Sequence, residues 1–334
     1  MKKRKDGFYQ VSKVIDGKRK YFYGKTRAIA ERKRNEYVRK SDVHLFADVA
    51  ADWWNRHETT LAYNTTKSYR PALRRAVKEF GDLDVSDITP PMIAQYIHGF
   101  AIGNRADKTV RTQLMVINLI FKYAINYYGI NMQNPARDIV VPKNLKKTKI
   151  SAPNTEDIRR INDNVGLPFG LFPFMAMYTG MRKGELLALR WEDVDAANRR
   201  IIINKSVYHE NNVPKIKTPK TKAGIRTVPI LDALLPYMKG SKGLVFPNEY
   251  GTLMTETQYQ RQWELYAKAT GVQCTAHQLR HLYATILFEQ NISPRDAMAL
   301  LGHNNIQTTM DVYTDIRKQR ITEIEKKMYG IKIE

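Results

Sequence analysis

Thr179-Gly-Met-Arg-Lys-Gly-Glu185 is the stretch from which the fold of this 334-residue chain can be worked out, together with three later segments. Those segments are His277-Gln-Leu-Arg-His281, Leu301-Gly-His303 and Tyr313, which follows the last histidine by ten residues. They supply two arginines, three histidines and a phenol, but no matching cluster of carboxylates. An arginine fork binds phosphate oxygens in pairs, and a tyrosine can attack phosphorus once its proton is removed and the phosphate charge is neutralised. The set predicts metal-free phosphoryl transfer through a tyrosine, and hence breakage and rejoining of DNA strands.

These segments resemble the successive boxes of the tyrosine recombinase family, also called phage integrases, in their order and near their usual spacing. The boxes are YTGMRKGELLALRWEDVD, HQLRHLYAT, LLGHNN and TTMDVYTD, and the similarity is densest over residues 150–320. The resemblance is closest to integrases of temperate phages and conjugative transposons that carry a small basic N-terminal domain. It implies a site-specific recombinase that forms a 3′-phosphotyrosyl intermediate and integrates, and excises, a mobile element. It implies no cofactor and no metal.

The resemblance and the chemistry of the side chains together assign the main catalytic roles. Arg182 and Arg280 are expected to neutralise the non-bridging phosphate oxygens, and Tyr313 to be the nucleophile. His277 and His303 are expected to handle protons and to hydrogen-bond the scissile phosphate. A phenol has a pKa of about 10, so Tyr313 should need neighbouring cations or a base.

Three further positions follow from the resemblance. Lys220, on a β-hairpin between the two arginine boxes, is the expected general acid, and Lys222 in the same lysine-rich stretch is the alternative. Glu185 is expected to orient an arginine or a histidine, and His281 to support the site structurally.

Other interpretations of the same residues stay open. His277, His281 and His303 could form a zinc site, although no carboxylate or thiolate stands at a useful spacing. A topoisomerase of type IB shares the chemistry, but a dedicated N-terminal module argues against it. A catalytically silent DNA-binding protein is the third possibility, and the competent residue at every key position argues against that.

The net charge of +22 favours a polyanionic partner. Half of this charge lies in residues 1–40, which contain 15 Lys/Arg and 4 Asp/Glu. The chain shows no apolar run of membrane-spanning length and no secretory signal, so nucleic acid is favoured over a membrane. A single cysteine, Cys274, excludes an internal disulfide, is read as a small buried hydrophobe, and fits the bacterial cytoplasm.

The N-terminal part, residues 1–41, is expected to be an arm-type DNA-binding domain. Two alternating strands flank Asp16-Gly17, a hairpin signal, and a helix follows Thr26 as its N-cap. Basic, aromatic strands suit a sheet that lies against DNA. The candidate contacts there are Lys18, Arg19 and Lys20.

Residues 42–140 are predicted to form an all-helical core-binding domain. Thr89-Pro90-Pro91 marks a helix start, and five apolar residues spaced four and three apart form a stripe that should face a core. These five are Val110, Leu114, Ile117, Phe121 and Ala124. The candidate phosphate contacts are Lys67, Arg70, Arg74, Lys108 and Arg111.

Residues 141–154 read as a linker, and residues 155–334 as the catalytic domain, with Thr155 as the first N-cap. Strands are expected in RRIIINKSV and IRTVPI, on either side of residues 215–223. The overall fold class is therefore multidomain α+β: a small sheet with one helix, an all-α domain, and a mainly α domain with a small sheet.

The segment after Tyr313 is expected to be exchanged with a neighbouring protomer through Ile316, Ile321, Ile324 and Met328. The implied partners are double-stranded DNA with core and arm sites, a homotetramer at synapsis, and a host bending factor and an excision factor.

Overall fold

The computed structural model describes residues 6–15, 18–41, 43–146, 151–218, 225–303 and 305–328. The chain divides into two compact units, Met1–Thr148 and Lys149–Glu334. The fold is of the predicted multidomain α+β class. No helix in the described ranges is both long enough and apolar enough to cross a membrane.

The first unit begins with a β-hairpin covered by one helix. Strands β1 (Tyr9–Ile15) and β2 (Lys18–Gly24) are antiparallel, with Ile15 opposite Lys18, as predicted. Asp16 and Gly17 lie outside the described residues. Helix α1 (Arg27–Ser41) follows, and the Thr26 hydroxyl accepts a hydrogen bond from the Ile29 amide at 3.3 Å, which confirms the predicted cap. A small core of Val11, Phe22 and Ala30 holds the helix on the hairpin.

Four helices form the rest of this unit: α2 (Phe46–His57), α3 (Tyr63–Phe80), α4 (Pro90–Ile102) and α5 (Asp107–Tyr128). Helix α4 begins at the predicted proline pair. Proline has no amide hydrogen, but the first amides of a helix have no acceptor within the helix, so no hydrogen bond is lost there. The predicted stripe of α5 faces the core, since four of its five residues are fully buried and Leu114 packs against them.

The beginning of the predicted linker packs against these helices. Val141 is buried, Leu145 contacts the same core, and the Lys146 carbonyl accepts a hydrogen bond from the Asp107 amide at 3.1 Å. The sequence did not predict these apolar contacts, because this segment is rich in lysine and shows no regular apolar spacing. The boundaries at residues 41 and 141 stay predictions.

The second unit is mainly helical and surrounds two small antiparallel sheets. Its helices are α6 (Thr155–Asp163), α7 (Leu171–Thr179), α8 (Lys183–Ala188), α9 (Glu256–Thr270), α10 (Ala276–Glu289), α11 (Pro294–Leu301) and α12 (Ile306–Met328), with 3₁₀ helices at Trp191–Asp193 and Asp232–Tyr237. Its strands are β3 (Val194–Asp195), β4 (Arg200–Ile203), β5 (Ser206–Glu210), β6 (Val213–Lys217) and β7 (Arg226–Pro229). The sheets have the orders β3-β4-β7 and β5-β6, so the two predicted strands pair with each other as β4 and β7.

One sequence expectation for this unit is wrong. The N-cap of α6 is Asn154 rather than Thr155, since the Asn154 side chain accepts from the Asp157 amide at 2.7 Å. The exchange of the segment after Tyr313 stays a prediction. Ile316 is buried where α12 packs on α10 and α11 of the same chain. Ile321 is about half exposed, and the side chains of Ile324 and Met328 lie outside the described part.

Helix α8 approaches strand β5 so closely that only a glycine fits at Gly184. A Cβ atom there would lie 2.3 Å from the Val207 carbonyl oxygen and 2.7 Å from the Ser206 hydroxyl. The first of these atoms belongs to the backbone and cannot move aside alone.

We expect Gly184→Ala to lower the free energy of unfolding by about 1–3 kcal/mol, the usual cost of overpacking. Gly166→Ala is the matched control, because nothing lies within 4 Å of a Cβ atom at that position. Chemical denaturation of the two variants measures the difference, and equal stabilities would contradict the close approach.

Candidate active site

Arg182 stands at a sharp connection between α7 and α8. Gly180 ends α7 in the left-handed conformation (φ +62°), where a Cβ atom would lie 2.4 Å from the Tyr283 ring. Arg182 then occupies the N-cap position of α8. Its side chain is 44% exposed, so part of the guanidinium faces the outside.

Glu185 is the buried anion at this connection. Its carboxylate accepts from the Arg182 amide at 2.8 Å and from Arg182 Nη1 at 2.9 Å. It also accepts from Arg226 Nη1 at 2.9 Å and Nη2 at 2.7 Å. Burial works to raise the pKa of Glu185, but hydrogen bonds and charge from Arg226, with the charge of Arg182, outweigh it and lower the pKa to about 2. Glu185 therefore remains ionised and fixes both arginines.

Arg280 is only 4% exposed. Its Nη1 donates to the Gly180 carbonyl and its Nη2 to the Leu301 carbonyl, both at 2.6 Å. Burial and the nearby charge of Arg182 lower its pKa to about 9, so the group still carries its charge at neutral pH.

Three consecutive carbonyl groups at the end of α11 hold three arginines. Leu300 accepts from Arg226 Nε at 2.8 Å, Leu301 from Arg280, and Gly302 from Arg182 Nη2 at 2.7 Å. The last carbonyls of a helix have no partner within the helix and carry partial negative charge, so guanidinium groups stabilise them. We call Leu300–Gly302 the carbonyl array.

His303 follows this array directly. Its Nδ1 lies 2.8 Å from the buried Thr309 hydroxyl. Burial and the charges of Arg280, Arg182 and Arg226 lower the pKa of His303 to about 4. Partial desolvation and the charges of Arg280 and Arg182 also lower the pKa of the more accessible His277. Both rings therefore share the surroundings of the two expected phosphate-binding arginines.

Tyr313, in contrast, is held in a hydrophobic cluster between α10, α11 and α12. It is 6% exposed, its ring meets Phe288 edge to face at 5.1 Å, and its hydroxyl donates to the Ile292 carbonyl at 3.1 Å. Burial, and then the charge of Asp296, raise its pKa. In this conformation the surroundings of Tyr313 therefore do not activate its hydroxyl, and the expected need for neighbouring cations or a base stays a prediction.

The remaining predicted residues have mixed outcomes. Lys220 and Lys222 lie outside the described residues. His281 is partly buried, and its carbonyl accepts from the Thr285 hydroxyl. In the described part of the chain, no three His, Cys, Asp or Glu side chains are grouped so that they could hold a metal ion. Cys274 is buried as expected, and burial raises the pKa of its thiol to about 12.

Within the described part of the protein, some of the candidate DNA contacts form ion pairs, and others do not. Arg70 forms an ion pair with Glu58, and Arg111 with Asp107. Lys67, Arg74 and Lys108 form no ion pair within the described ranges. Arg19 and Lys20 are exposed, and the side chain of Lys18 lies outside the described part.

Arg226 is the important residue that the sequence interpretation missed. Its strand alternates buried and exposed positions, which puts Arg226 on the inward face with Val228. An arginine at an inward position of a strand was the available signal, because a buried arginine needs an anionic partner.

Comparison with known proteins identifies the family. The model of the phage integrase family matches residues 150–320, and that of the phage integrase central domain matches residues 46–140. A protein named tyrosine recombinase XerC-like from Caldanaerobacter subterraneus subsp. tengcongensis is 30% identical over 374 aligned positions, which cover 95% of each chain. The ICEBs1 integrase of Bacillus subtilis is 26% identical over 73% of this chain and 72% of its own. The chain therefore belongs to the phage integrase family of tyrosine recombinases.

Solved structures show the same fold. The Tn1549 transposon integrase in complex with transposon right end DNA has a TM-score of 0.67 at 19% identity, over 84% of this chain and 100% of that one. A lambda integrase tetramer bound to a Holliday junction has a TM-score of 0.62 at 18% identity, over 90% and 94% of the two chains.

We expect the His303 ring to stay neutral in the DNA-free protein down to about pH 4. An unfolded histidine takes up its proton near pH 6.5, so His303 lowers the stability of the fold increasingly as the pH falls from about 6.5 towards 4. NMR titration of the ring signals, assigned by their loss in His303→Gln, measures this directly. A midpoint near 6.5 would contradict the described surroundings.

Proposed function

We propose that this tyrosine recombinase integrates and excises a phage or conjugative element, with Tyr313 as the nucleophile. Family membership makes the chain a site-specific recombinase that cleaves and rejoins DNA. The observation that carries the assignment of its residues is the carbonyl array, which gathers Arg182, Arg280 and His303 in one place.

The arginines have capacity left for a phosphate. A guanidinium has five N–H groups, and the hydrogen bonds described above use two N–H groups each of Arg182 and Arg280. Because protein carbonyls and Glu185 already hold these groups, little reorganisation is needed when charge builds on the pentacoordinate phosphorus.

The proposed cleavage step exchanges one phosphoester for another. The Tyr313 oxygen forms a bond to phosphorus while the bond from phosphorus to the 5′-oxygen breaks. The phenolic proton passes to a histidine of the pocket, and Lys220, or Lys222, supplies a proton to the 5′-oxygen. The reverse step rejoins the strand without ATP, because the phosphotyrosine keeps the energy of the bond.

Tyr313 must first leave the Ile292 carbonyl. The hydrogen bond and the packing on Phe288 both oppose attack by this hydroxyl. Binding of DNA therefore has to move the segment of α12 that carries Tyr313.

The N-terminal hairpin is proposed to bind arm sites through the face of its two strands that α1 does not cover. Side chains alternate along a strand, so Arg19, Tyr21 and Tyr23 share one face, while Lys20 shares the other with Phe22. Tyr21 and Tyr23 are exposed, whereas Phe22 is buried under α1.

In the helical part of the first unit, Lys67, Arg74 and Lys108 are the proposed contacts with core-site phosphates.

Further partners follow from the same proposal. Strand exchange requires four protomers on two duplexes, with the segment after Tyr313 exchanged between them. A host bending factor and an excision factor would set the direction of the reaction. The site of action is the host cytoplasm, at the nucleoid.

We expect the wild-type protein to become covalently attached to the 3′-phosphate of a nicked suicide substrate, and Tyr313→Phe to form no adduct. The substitution removes only the attacking oxygen, so the Kd for DNA should stay within about threefold. Gel separation under denaturing conditions shows whether the wild-type protein and Tyr313→Phe have formed the adduct. Tyr283→Phe, which changes a buried tyrosine of the same cluster, is the control that should still form the adduct.

The same assay tests the source of charge neutralisation. Chelation of divalent metal should leave the rate unchanged, because arginines supply the charge. An adduct with Tyr313→Phe, or a requirement for magnesium, would contradict the assignment of these residues.

We expect Arg19→Ala to weaken binding to duplexes from the ends of the element about 10-fold or more, the usual range for a base contact. Lys20→Ala is the matched control and should change the affinity about twofold to threefold, because Lys20 lies on the opposite face.

Deletion of residues 1–40 should leave cleavage of isolated core sites intact and reduce the salt dependence of binding, since fewer counterions are released. Equal salt dependence of the two proteins would argue against an arm-binding domain.

A further inference from the structure

Arg226 is one of the most completely anchored side chains of the second unit. Its side chain is 6% exposed and that of its partner Glu185 is 7% exposed. Both terminal nitrogens donate to the two Glu185 oxygens as a fork, and Nε donates to the Leu300 carbonyl. These bonds aim three sides of the guanidinium at protein groups, so Arg226 is not arranged to bind a phosphate itself.

The contacts of Arg226 join the two elements on which phosphate binding depends. Through Glu185 it reaches the start of α8, where the same carboxylate holds Arg182. Through Leu300 it reaches the carbonyl array, which leads directly into His303. The fit is tight, because a Cβ atom at Gly302 (φ +67°) would lie 2.7 Å from Arg226 Nη1.

We propose that Arg226 is a positioning residue for DNA cleavage, which sets the orientation of Arg182 through Glu185 and the position of His303 through the carbonyl array. The inference rests on the proposed function, since it takes Arg182 as a phosphate-binding group.

The physical reason is competition for the Arg182 guanidinium. With Arg226 present, both oxygens of Glu185 are satisfied, and Arg182 shares only one of them through its side chain. Without Arg226, the buried carboxylate has Arg182 as its remaining cationic partner and draws the guanidinium towards itself. The fork is then turned away from the phosphate that it should neutralise. A lysine at position 226 keeps the charge but cannot donate to both oxygens and to Leu300 in the same planar geometry.

The test compares two scissile groups in single-turnover cleavage. One suicide substrate carries a normal phosphate, and the other carries a methylphosphonate, in which an uncharged methyl group replaces one non-bridging oxygen. We expect Arg226→Lys to cleave the phosphate about 100-fold more slowly than wild type, the scale of losing one oriented donor. On the methylphosphonate the deficit should shrink to about threefold or less, because less charge has to be neutralised by Arg182. Arg182→Ala should show the same pattern.

Two controls separate positioning from folding. Arg200→Lys changes an arginine of the adjacent strand that is about half exposed and paired with Asp195, and both of its rates should equal those of wild type. The double variant Glu185→Gln/Arg226→Met removes both charges of the buried pair, so that no carboxylate is left buried without Arg226 if Arg226→Lys is unstable. Its Tm should be close to that of wild type. Arg182 loses the carboxylate that orients it in this variant, so cleavage of the phosphate should stay slow and recover on the methylphosphonate.

The inference is overturned if Arg226→Lys and the double variant lose the same factor on both substrates, since that is a general structural defect. It is also overturned if both variants cleave the phosphate at the wild-type rate. Failure of wild type to form an adduct with either substrate would overturn the proposed function itself, and this inference with it.

Discussion

The carbonyl array at the end of α11 is the interaction on which the rest of the second unit depends. Leu300, Leu301 and Gly302 present three backbone oxygens in sequence, and each accepts from a different arginine. Backbone oxygens at a helix end are fixed by the helix, and therefore hold three cations in a defined relation that flexible side chains could not give. The arginines come from β7, α10 and the start of α8, so one short segment joins three distant parts of the sequence.

The electrostatics of the site follow from this arrangement. Three guanidinium groups surround one carboxylate, Glu185, and burial together with the excess positive charge lowers the pKa of His303 and of Arg280. Repulsion is tolerated because each arginine has carbonyl or carboxylate oxygens as partners. Burial and this excess together explain why His303 is neutral beside the arginines at physiological pH.

Much of the fold was predictable because its signals are local. The cap at Thr26, the helix start at Pro90 and the apolar stripe from Val110 to Ala124 each depend on residues within a few positions of one another. The sequence also identified the arginines and His303 as neighbours, since their motifs carry a strong resemblance. Arg226 was missed because its partners, the Glu185 carboxylate and the Leu300 carbonyl, lie 41 and 74 residues away in the chain. Carbonyl groups are the same in every residue, so an array of them leaves no mark in a sequence. The buried state of Tyr313 was not predicted either, because its motif indicates attack on a phosphate, whereas its contacts with Phe288 and Ile292 come from distant positions in the chain.

The excess charge around Glu185 has a thermodynamic consequence for the whole second unit. A cluster that contains more cations than anions is folded against its own repulsion, and that cost is present whenever the pocket holds no anion. With the proposed assignment of the arginines, a DNA phosphate completes the charge balance of the folded pocket, so DNA would act on this unit as a ligand that binds the native form more tightly than the unfolded chain. On this assignment the substrate would contribute to the stability of the enzyme that cleaves it, and the gain in thermal stability would depend on the DNA concentration.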